Sequence, residues 1–325
     1  MSLASQDASS VQVSGRSELS RQRTRSAMVF LVPMIAALAL VAGWPLCRSI
    51  YFSLTDASLT DLNHANFIGL DNYFGWTTLD SGQKVYYGVL ADPEWWNAVY
   101  NTLRFSFISV TLETITGMAV ALALNANFRG RAIVRAAILI PWAIPTIVSA
   151  KMWAWMLNDQ FGIINDFFLK LGVIKEKVAW AAMDSTSMYA VLAVDVWKTT
   201  PFMALLMLAG LQTVPTDIYE AAMIDGIHPV KTFFRVTLPL VRPAVMVAVI
   251  FRLMDAMRIF DLIYVLTPNS AQTKTMSVIA RENMFDFNKL SYGSAMSTLL
   301  FLILLLTVIL YLWLGRVNLS GEGGR

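Results

Sequence analysis

Two long stretches without any charged residue constrain the fold of this chain more than any other feature of its sequence. The stretch 27–47 has 21 residues and the stretch 291–315 has 25 residues. A helix of about 20 apolar residues crosses the hydrocarbon core of a bilayer. Of the whole chain, 14% is charged and 56% is apolar, whereas soluble domains average about 25% charged residues. This composition predicts a polytopic membrane protein and argues against a soluble enzyme, a nucleic-acid-binding protein or a disordered chain.

Four further stretches are long and apolar but contain charged residues: 105–125, 136–158, 188–211 and 244–266. They remain candidates because intramembrane charges usually face a bundle interior or water. The predicted fold is therefore all-α, with six transmembrane helices in a single domain at 27–315. The first apolar run is too long for the apolar part of a signal peptide, so we expect it to remain uncleaved.

The segments that join the spans predict the orientation of the chain. With the N-terminus inside, the inner segments hold 12 lysines and arginines and 6 acidic residues; they are 1–26, 126–135, 212–243 and 316–325. The outer segments hold 7 lysines and arginines and 12 acidic residues; they are 53–100, 159–187 and 267–290. Cytoplasmic loops carry an excess of Lys and Arg. We therefore predict that both terminal tails, 1–26 and 316–325, are cytoplasmic.

The inner loop 212–243 predicts a short helix–turn–helix. Thr216 suits an N-cap, Gly226 can adopt the left-handed conformation of a tight reversal, and Pro229 suits the first turn of a second helix. That helix should end before Pro239. The loop is rich in large apolar residues, which a solvated surface seldom exposes. Two interpretations stay open: an interfacial segment under its own bundle, or a knob that fits a groove on another protein.

The charges within the predicted spans permit two interpretations. Asp195 and Lys198 are three residues apart and can pair on one helix. A second set, Arg252, Asp255, Arg258 and Asp261, alternates in sign and winds halfway round a helix, so that Asp261 should point away from the rest. These groups either neutralise one another between packed helices or line a polar cavity whose carboxylates, guanidinium groups and aromatic faces suit sugars.

Several motifs resemble those of one family. Glu220-Ala221-Ala222, Asp225-Gly226 and Leu238-Pro239 resemble the coupling-loop signature of bacterial ABC importer permeases. Further stretches are similar to the first-subunit branch of carbohydrate permeases, which includes maltose, trehalose and glycerol-phosphate importers: 66–73, 92–96, 139–142, 196–202 and 260–267.

This resemblance implies the type I ABC importer permease fold, with coupling residues Glu220, Ala221, Ala222, Asp225, Gly226, Leu238 and Pro239. It places the substrate pathway at Lys198, Thr199, Phe202, Arg252, Asp255, Ala256 and Ile259. The implied substrate is a disaccharide such as trehalose or another α-glucoside, and glycerol-phosphate and sugar alcohols stay open as alternatives. The implied location is the bacterial cytoplasmic (inner) membrane.

The implied partners are a second homologous permease, a dimer of cytoplasmic ATP-binding subunits, an extracytoplasmic sugar-binding protein and membrane lipid, but no nucleic acid. ATP and Mg²⁺ would be bound by the partner ATPase. We therefore expect no cofactor, catalytic residue or metal site in this chain.

Two other classes compete with the importer. An ion-coupled secondary transporter could use Asp195, Asp255 and Asp261 as a relay, but it would usually show repeat symmetry, and the sequence has no internal repeat. A membrane enzyme would need clustered His, Cys or acidic ligands, which the sequence lacks. The sequence also lacks a Gly-rich phosphate loop ending in Lys-Ser/Thr, so ATP hydrolysis would need another chain.

Overall fold

The computed structural model describes residues 18–62, 65–268 and 270–315. These described residues form two compact units, which are divided between Tyr51 and Phe52. Of the predicted tails, 1–17 and 316–325 lie outside the described residues, whereas 18–26 belong to the first helix.

The first unit consists of one long apolar helical segment. Helix α1 (Glu18–Leu38) continues through a wide turn, Ala39–Gly43, into α2 (Trp44–Ser53). The part long and apolar enough to cross a membrane is Arg23–Ser53, which contains the predicted span 27–47. The wide turn lies just before Pro45, where Trp44 donates to the carbonyl oxygen of Ala39. A π-type turn of this kind accommodates a proline that cannot donate to the carbonyl four residues earlier.

The second unit contains a small hairpin and eleven helices among its described residues. In chain order they are β1 (Gly75–Thr78), β2 (Lys84–Tyr87), α3 (Pro93–Asn125), α4 (Arg131–Ala143), α5 (Thr146–Met156), α6 (Ile163–Lys170), α7 (Ser187–Leu211), α8 (Thr216–Ile224), α9 (Pro229–Thr232), α10 (Leu238–Ala256), α11 (Asp261–Leu266), α12 (Met276–Arg281) and α13 (Leu290–Gly315). The all-α prediction therefore holds apart from one antiparallel hairpin of two four-residue strands.

Helix α7 is the centre of this unit and packs against α3, α4 and α10. In the most apolar 18-residue stretch of α7, 56% of the residues are buried, whereas in that of α13 only 17% are. Helices α3 and α7 approach closely at Gly117, where an added Cβ atom would lie 2.9 Å from the Cβ atom of Met203. Small residues allow such close helix crossings in membrane proteins. This crossing brings the polar residues of α3 next to those of α7.

The third predicted span is broken rather than straight. Helices α4 and α5 together cover the predicted stretch 136–158, but they are bent by 90° at Ile144 and Pro145. Pro145 cannot donate a backbone hydrogen bond, so the α4 ladder ends before it. With this bent pair counted as one span, the described residues contain six membrane-length segments.

The fifth predicted span is shifted towards the N-terminus. A continuous helix runs from Pro229 to Ala256, so the expectation of a helix end before Pro239 is wrong. A wide turn, Phe233–Thr237, precedes Pro239, and Leu238 donates to the carbonyl oxygen of Phe233. The same device therefore accommodates Pro45 and Pro239. The helix ends at Ala256 and not at 266, and α11 follows as a separate element.

The predicted outer segments 53–100 and 267–290 meet at one end of the bundle. The backbone N–H of Leu59 donates to the side-chain oxygen of Asn288 at 3.1 Å. Asn101 and Ser291, which directly follow these two segments, donate to the carbonyl oxygens of Ala271 and Ala57 at 2.9 and 3.0 Å. Residues 93–100 are helical, because Pro93 starts α3 and Asp92 caps it by accepting from the backbone of Glu94.

Within the first outer loop, Asn66 closes a turn onto Asp56. The side-chain amide of Asn66 donates to the Asp56 carboxylate at 3.1 Å and its backbone N–H does so at 2.7 Å. Both bonds stabilise the charged carboxylate, and the side-chain bond has the larger effect. They hold the pKa of Asp56 below its ordinary value. The loop is therefore tied together by its own polar groups.

The predicted helix–turn–helix at the opposite end is present. Helix α8 ends in a Schellman motif, in which Gly226 (φ 67°) donates to the carbonyl oxygen of Met223 and Ile227 donates to that of Ala222. Pro229 lies in the first turn of the next helix. Thr216 is the first helical residue and not the N-cap, which is Pro215. The turn therefore depends on a residue that adopts a positive φ at little cost.

Candidate functional site

A cluster of ionised side chains lies inside the bundle where α3, α7 and α10 meet. Arg252 on α10 is 2% exposed and Glu113 on α3 is fully buried. The Nε atom of Arg252 donates to Glu113 Oε2 at 2.5 Å, and its Nη2 atom donates to Glu113 Oε1 at 3.0 Å. Nη2 also donates to Asp195 on α7, and Nη1 donates to Asp255 at 3.0 Å. One guanidinium group is thus surrounded by three carboxylates.

Two hydroxyl groups complete the buried part of this cluster. Ser109 Oγ lies 2.8 Å from Glu113 Oε1 and 2.7 Å from Asp195 Oδ2, so its single proton can serve either carboxylate. Thr199 Oγ1 lies 2.6 Å from Glu113 Oε1. Buried charges are tolerated when they are paired and hydrogen-bonded. The cluster therefore meets the condition for retaining ions inside an apolar bundle.

A cavity of about 250 Å³ opens beside the cluster. Five of the seven predicted pathway residues line it: Lys198, Thr199, Arg252, Asp255 and Ile259. The Asp255 side chain is 69% exposed although it pairs with the buried Arg252. The structure thus brings most of the predicted pathway residues together, while their contact with substrate stays a prediction.

Lys198 does not pair with Asp195 in the way that the sequence spacing suggested. Its Nζ atom donates to the carbonyl oxygen of Ile144 at 2.8 Å and lies 3.5 Å from that of Trp142. These carbonyl groups belong to the break between α4 and α5, where no following helical N–H is available. Asp195 pairs with Arg252 instead. Lys198 therefore stabilises the bend of the third span.

The remaining two predicted pathway residues lie behind the cavity. Phe202 stacks on Trp142, with ring centroids 5.8 Å apart and an interplanar angle of 17°, and Trp142 lines the cavity. Ala256 is fully buried in an apolar cluster that includes Val191 and Leu262. Neither residue lines the cavity described above, so any role in the pathway would be indirect in this structure.

The expectation that Asp261 points away from the other charges is wrong. It assumed a helix that continues to residue 266, but α10 ends at Ala256 and the backbone of Phe260 is not helical. The chain changes direction there, and both Arg258 and Asp261 line the cavity. Because α11 packs against α5, the broken third span and the C-terminal end of the fifth span meet at the same cavity.

Glu113 is the main site residue that sequence reasoning missed. An acid in an otherwise apolar span indicates that a buried cation pairs with it. The sequence did not show that this cation is Arg252, because the two residues are 139 positions apart. The approach of α3 to α7 at Gly117 places Glu113 in the cluster.

The predicted coupling residues form one surface at the end of the bundle opposite the outer segments. Glu220, Ala221, Asp225 and Pro239 are exposed, Leu238 is half-buried and Ala222 is buried. Two apolar side chains of α8 are also exposed, Met223 at 71% and Ile224 at 86%. An open groove of about 700 Å³ lies between this segment and the end of α3. The apolar side chains of Met223 and Ile224 on α8 are thus not covered by its own bundle.

Comparison with protein families matches residues 114–318 to the family of binding-protein-dependent transport system inner membrane components. The match includes every predicted pathway and coupling residue. It also includes all of the buried charge cluster except Ser109 and Glu113, which lie just before its start.

Curated relatives are similar over most of the chain. The trehalose/maltose transport system permease protein MalF of Thermococcus litoralis is 38% identical over 92% of this chain and 97% of its own length. The trehalose transport system permease protein SugA of Mycobacterium tuberculosis is 35% identical, with coverages of 85% and 84%. The sulfoquinovosyl glycerol transport system permease protein SmoG of Agrobacterium fabrum is 33% identical, with coverages of 90% and 91%.

A solved structure supports the fold. A chain of a bacterial ABC transporter involved in the import of the acidic polysaccharide alginate superposes with a TM-score of 0.73. The superposition covers 93% of the present chain and 100% of that chain, at 17% identity. At this identity the similarity shows the fold alone.

The burial of Arg252 predicts a large difference between two arginine substitutions on the same segment. Arg252→Leu would leave Glu113 and Asp195 buried without their cation, and breaking such a pair costs about 3–5 kcal/mol. Arg258→Leu is the matched control, because Arg258 is exposed and its Nε atom donates to the backbone carbonyl of Met254. We expect the midpoint temperature of thermal unfolding of the purified protein to fall strongly in Arg252→Leu and only slightly in Arg258→Leu. Equal shifts would contradict a structural role for the buried cluster.

Proposed function

Because the chain belongs to the family of binding-protein-dependent transport system inner membrane components, we propose that it conducts a carbohydrate across the bacterial cytoplasmic membrane as one permease subunit of an ABC importer. As a transport component it is not an enzyme, and ATP is hydrolysed by a separate subunit. The observation that carries the proposal is the polar cavity where the broken third span meets the end of the fifth span. Discontinuous helices at mid-membrane are a common way to build a transport site.

A disaccharide such as trehalose or another α-glucoside is the proposed substrate. Two of the relatives are named for trehalose or for trehalose and maltose, and a third for sulfoquinovosyl glycerol. In the present chain, Asp255 offers an exposed carboxylate and Trp142 an aromatic face in the same cavity. Carboxylates accept hydrogen bonds from sugar hydroxyl groups, and aromatic faces pack against the apolar faces of sugar rings.

A second homologous permease completes the proposed pathway. The cavity of about 250 Å³ is smaller than most small-molecule sites, which span about 300–1,000 Å³. It is also open, with the Asp255 side chain 69% exposed. A charged group exposed at membrane depth is costly unless it faces protein or water. A facing subunit would supply the missing wall.

The segment from Thr216 to Pro239 is the proposed contact with a dimer of cytoplasmic ATPase subunits, which would bind ATP and Mg²⁺. Its exposed Met223 and Ile224 stand next to the exposed acids Glu220 and Asp225. An apolar ridge flanked by charges suits a groove on a protein partner better than the hydrocarbon of a bilayer. The surface therefore favours the knob over the buried interfacial segment.

The outer end would receive sugar from an extracytoplasmic binding protein. A second solved structure of the alginate transporter holds a periplasmic protein bound to an alginate pentasaccharide. The predicted orientation places segments 53–100 and 267–290, which meet in this chain, on that side. It also places both tails in the cytoplasm.

The ion-coupled alternative receives no support from the geometry of the acids. Asp195 is 5% exposed, pairs with Arg252 and accepts a hydrogen bond from Ser109. A proton relay would require this carboxylate to exchange protons with water.

Uptake into proteoliposomes tests the substrate class. We expect the complex reconstituted with its second permease, ATPase and binding protein to accumulate labelled trehalose or maltose in the presence of ATP inside. Glycerol 3-phosphate and a labelled amino acid serve as comparison substrates. Accumulation of the amino acid and of no sugar would overturn the carbohydrate assignment. Sugar uptake that persists without ATPase subunits would overturn the ABC assignment.

Two proline substitutions test the coupling segment. Gly226→Pro cannot adopt φ 67° and removes the donor to Met223. Gly172→Pro is the matched control, since Gly172 (φ 70°) ends α6 in the same motif within a predicted outer segment. We expect Gly226→Pro to lower uptake and transport-stimulated ATP hydrolysis at least tenfold while Gly172→Pro retains most of both. Similar losses in correctly inserted variants would argue against a coupling role.

A further inference from the structure

The guanidinium group of Arg252 has almost no hydrogen-bonding capacity left for a ligand. An arginine carries five N–H groups. Two bonds go to Glu113, one to Asp195 and one to Asp255, which leaves a single N–H on Nη1. The positive charge is also outnumbered by the three carboxylates around it. Arg252 therefore cannot act as a free anion receptor.

The second cation beside the cluster is committed as well. Lys198 is 8% exposed, and its ammonium group donates to the backbone at the break between α4 and α5. Displacing it towards a ligand would leave the carbonyl oxygen of Ile144 without this donor. Lys198 therefore lines the cavity while its ammonium group is held against the backbone of the bend.

The exposed charged residues that line the cavity are two acids and one base. They are Asp255, Asp261 and Arg258. The buried charged residues that also line it, Asp195, Lys198 and Arg252, are held by contacts within the protein. An anionic ligand would lose its hydration and meet two carboxylates for each available guanidinium group.

Aromatic rings flank these carboxylates on two sides. Trp142 lies beside the break of the third span and stacks on Phe202. Phe260 lies between α10 and α11 and stacks on Tyr264, with ring centroids 5.2 Å apart. The cavity thus combines acceptors for hydroxyl groups with flat apolar faces, which is the requirement of an uncharged sugar ring.

We infer that the cavity discriminates by charge, that it accepts uncharged sugars and rejects sugars bearing a phosphate, sulfonate or carboxylate group, and that Asp255 sets this discrimination. This inference rests on the proposed function and narrows its substrate class. Asp255 is placed for this role because it accepts a hydrogen bond from Nη1 of Arg252 and is itself exposed to the cavity. Removing its charge would weaken this bond and take away one of the two exposed carboxylates that line the cavity, so that an anion would meet less repulsion.

Equilibrium binding to the purified transporter complex tests this inference, with the binding protein omitted because it has its own selectivity. The probes are labelled trehalose and trehalose 6-phosphate, which differ by one phosphate group. We expect the unmodified complex to bind trehalose at least tenfold more tightly. Asp255→Asn should reduce that ratio to threefold or less. Asp166→Asn is the matched control, because Asp166 pairs with Lys177 in an outer segment and its loss changes the total charge equally.

Asp261→Asn provides a second variant in case Asp255→Asn fails to fold, and it should also reduce the ratio. Equal binding of both sugars by the unmodified complex, or preference for the phosphate, would overturn the inference and leave the proposed function standing. A tenfold ratio retained in both folded cavity variants would also overturn it. A reduced ratio in Asp166→Asn would overturn the local role of Asp255. Binding of neither sugar would count against the inference, whereas the proposed function fails only with the uptake assay.

Discussion

The ion cluster around Arg252 is the constraint on which the arrangement of this bundle depends. Its members come from α3, α7 and α10, and each of these helices would carry an unpaired charge in an apolar interior if it moved away from the other two. Such a charge is far more costly than the loss of an apolar contact. The three helices are therefore held in one relative register by a few polar atoms. The apolar contacts around them are non-directional and specify the register less strictly.

The second organising feature is the coincidence of two helix breaks. The third span bends before Pro145 and the fifth ends at Ala256, and α5 then packs against α11. Each break exposes backbone groups that a straight helix would satisfy internally. Lys198 satisfies those of the third span, so the polar cavity and the stability of the bend depend on the same side chain.

The sequence predicted the number of apolar segments, their approximate places and the turn at Gly226, because these follow from local composition and from the conformational preferences of single residues. It misplaced the end of the fifth helix, since charges such as Arg258 and Asp261 look the same in a helix and in the turn that follows one. It also paired Asp195 with Lys198, its neighbour in sequence. The true partners, Arg252 and Glu113, lie far away along the chain, and only the packing of α3 on α7 brings them together. Local patterns do not encode such distant pairings.

The unbroken helix from Pro229 to Ala256 connects the turn at Gly226 mechanically to the buried arginine. Arg252 is about 35 Å along this rod from Pro229, at about 1.5 Å per residue. A rotation of about 5° about the turn would therefore displace the guanidinium by about 3 Å, which is as long as the hydrogen bonds that hold it. A movement of this helix that starts at the turn must therefore either move Glu113 and Asp195 together with Arg252 or break the ion pairs between them. The ion pairs of Arg252 thus resist any displacement of the C-terminal end of this helix that begins at its N-terminal end.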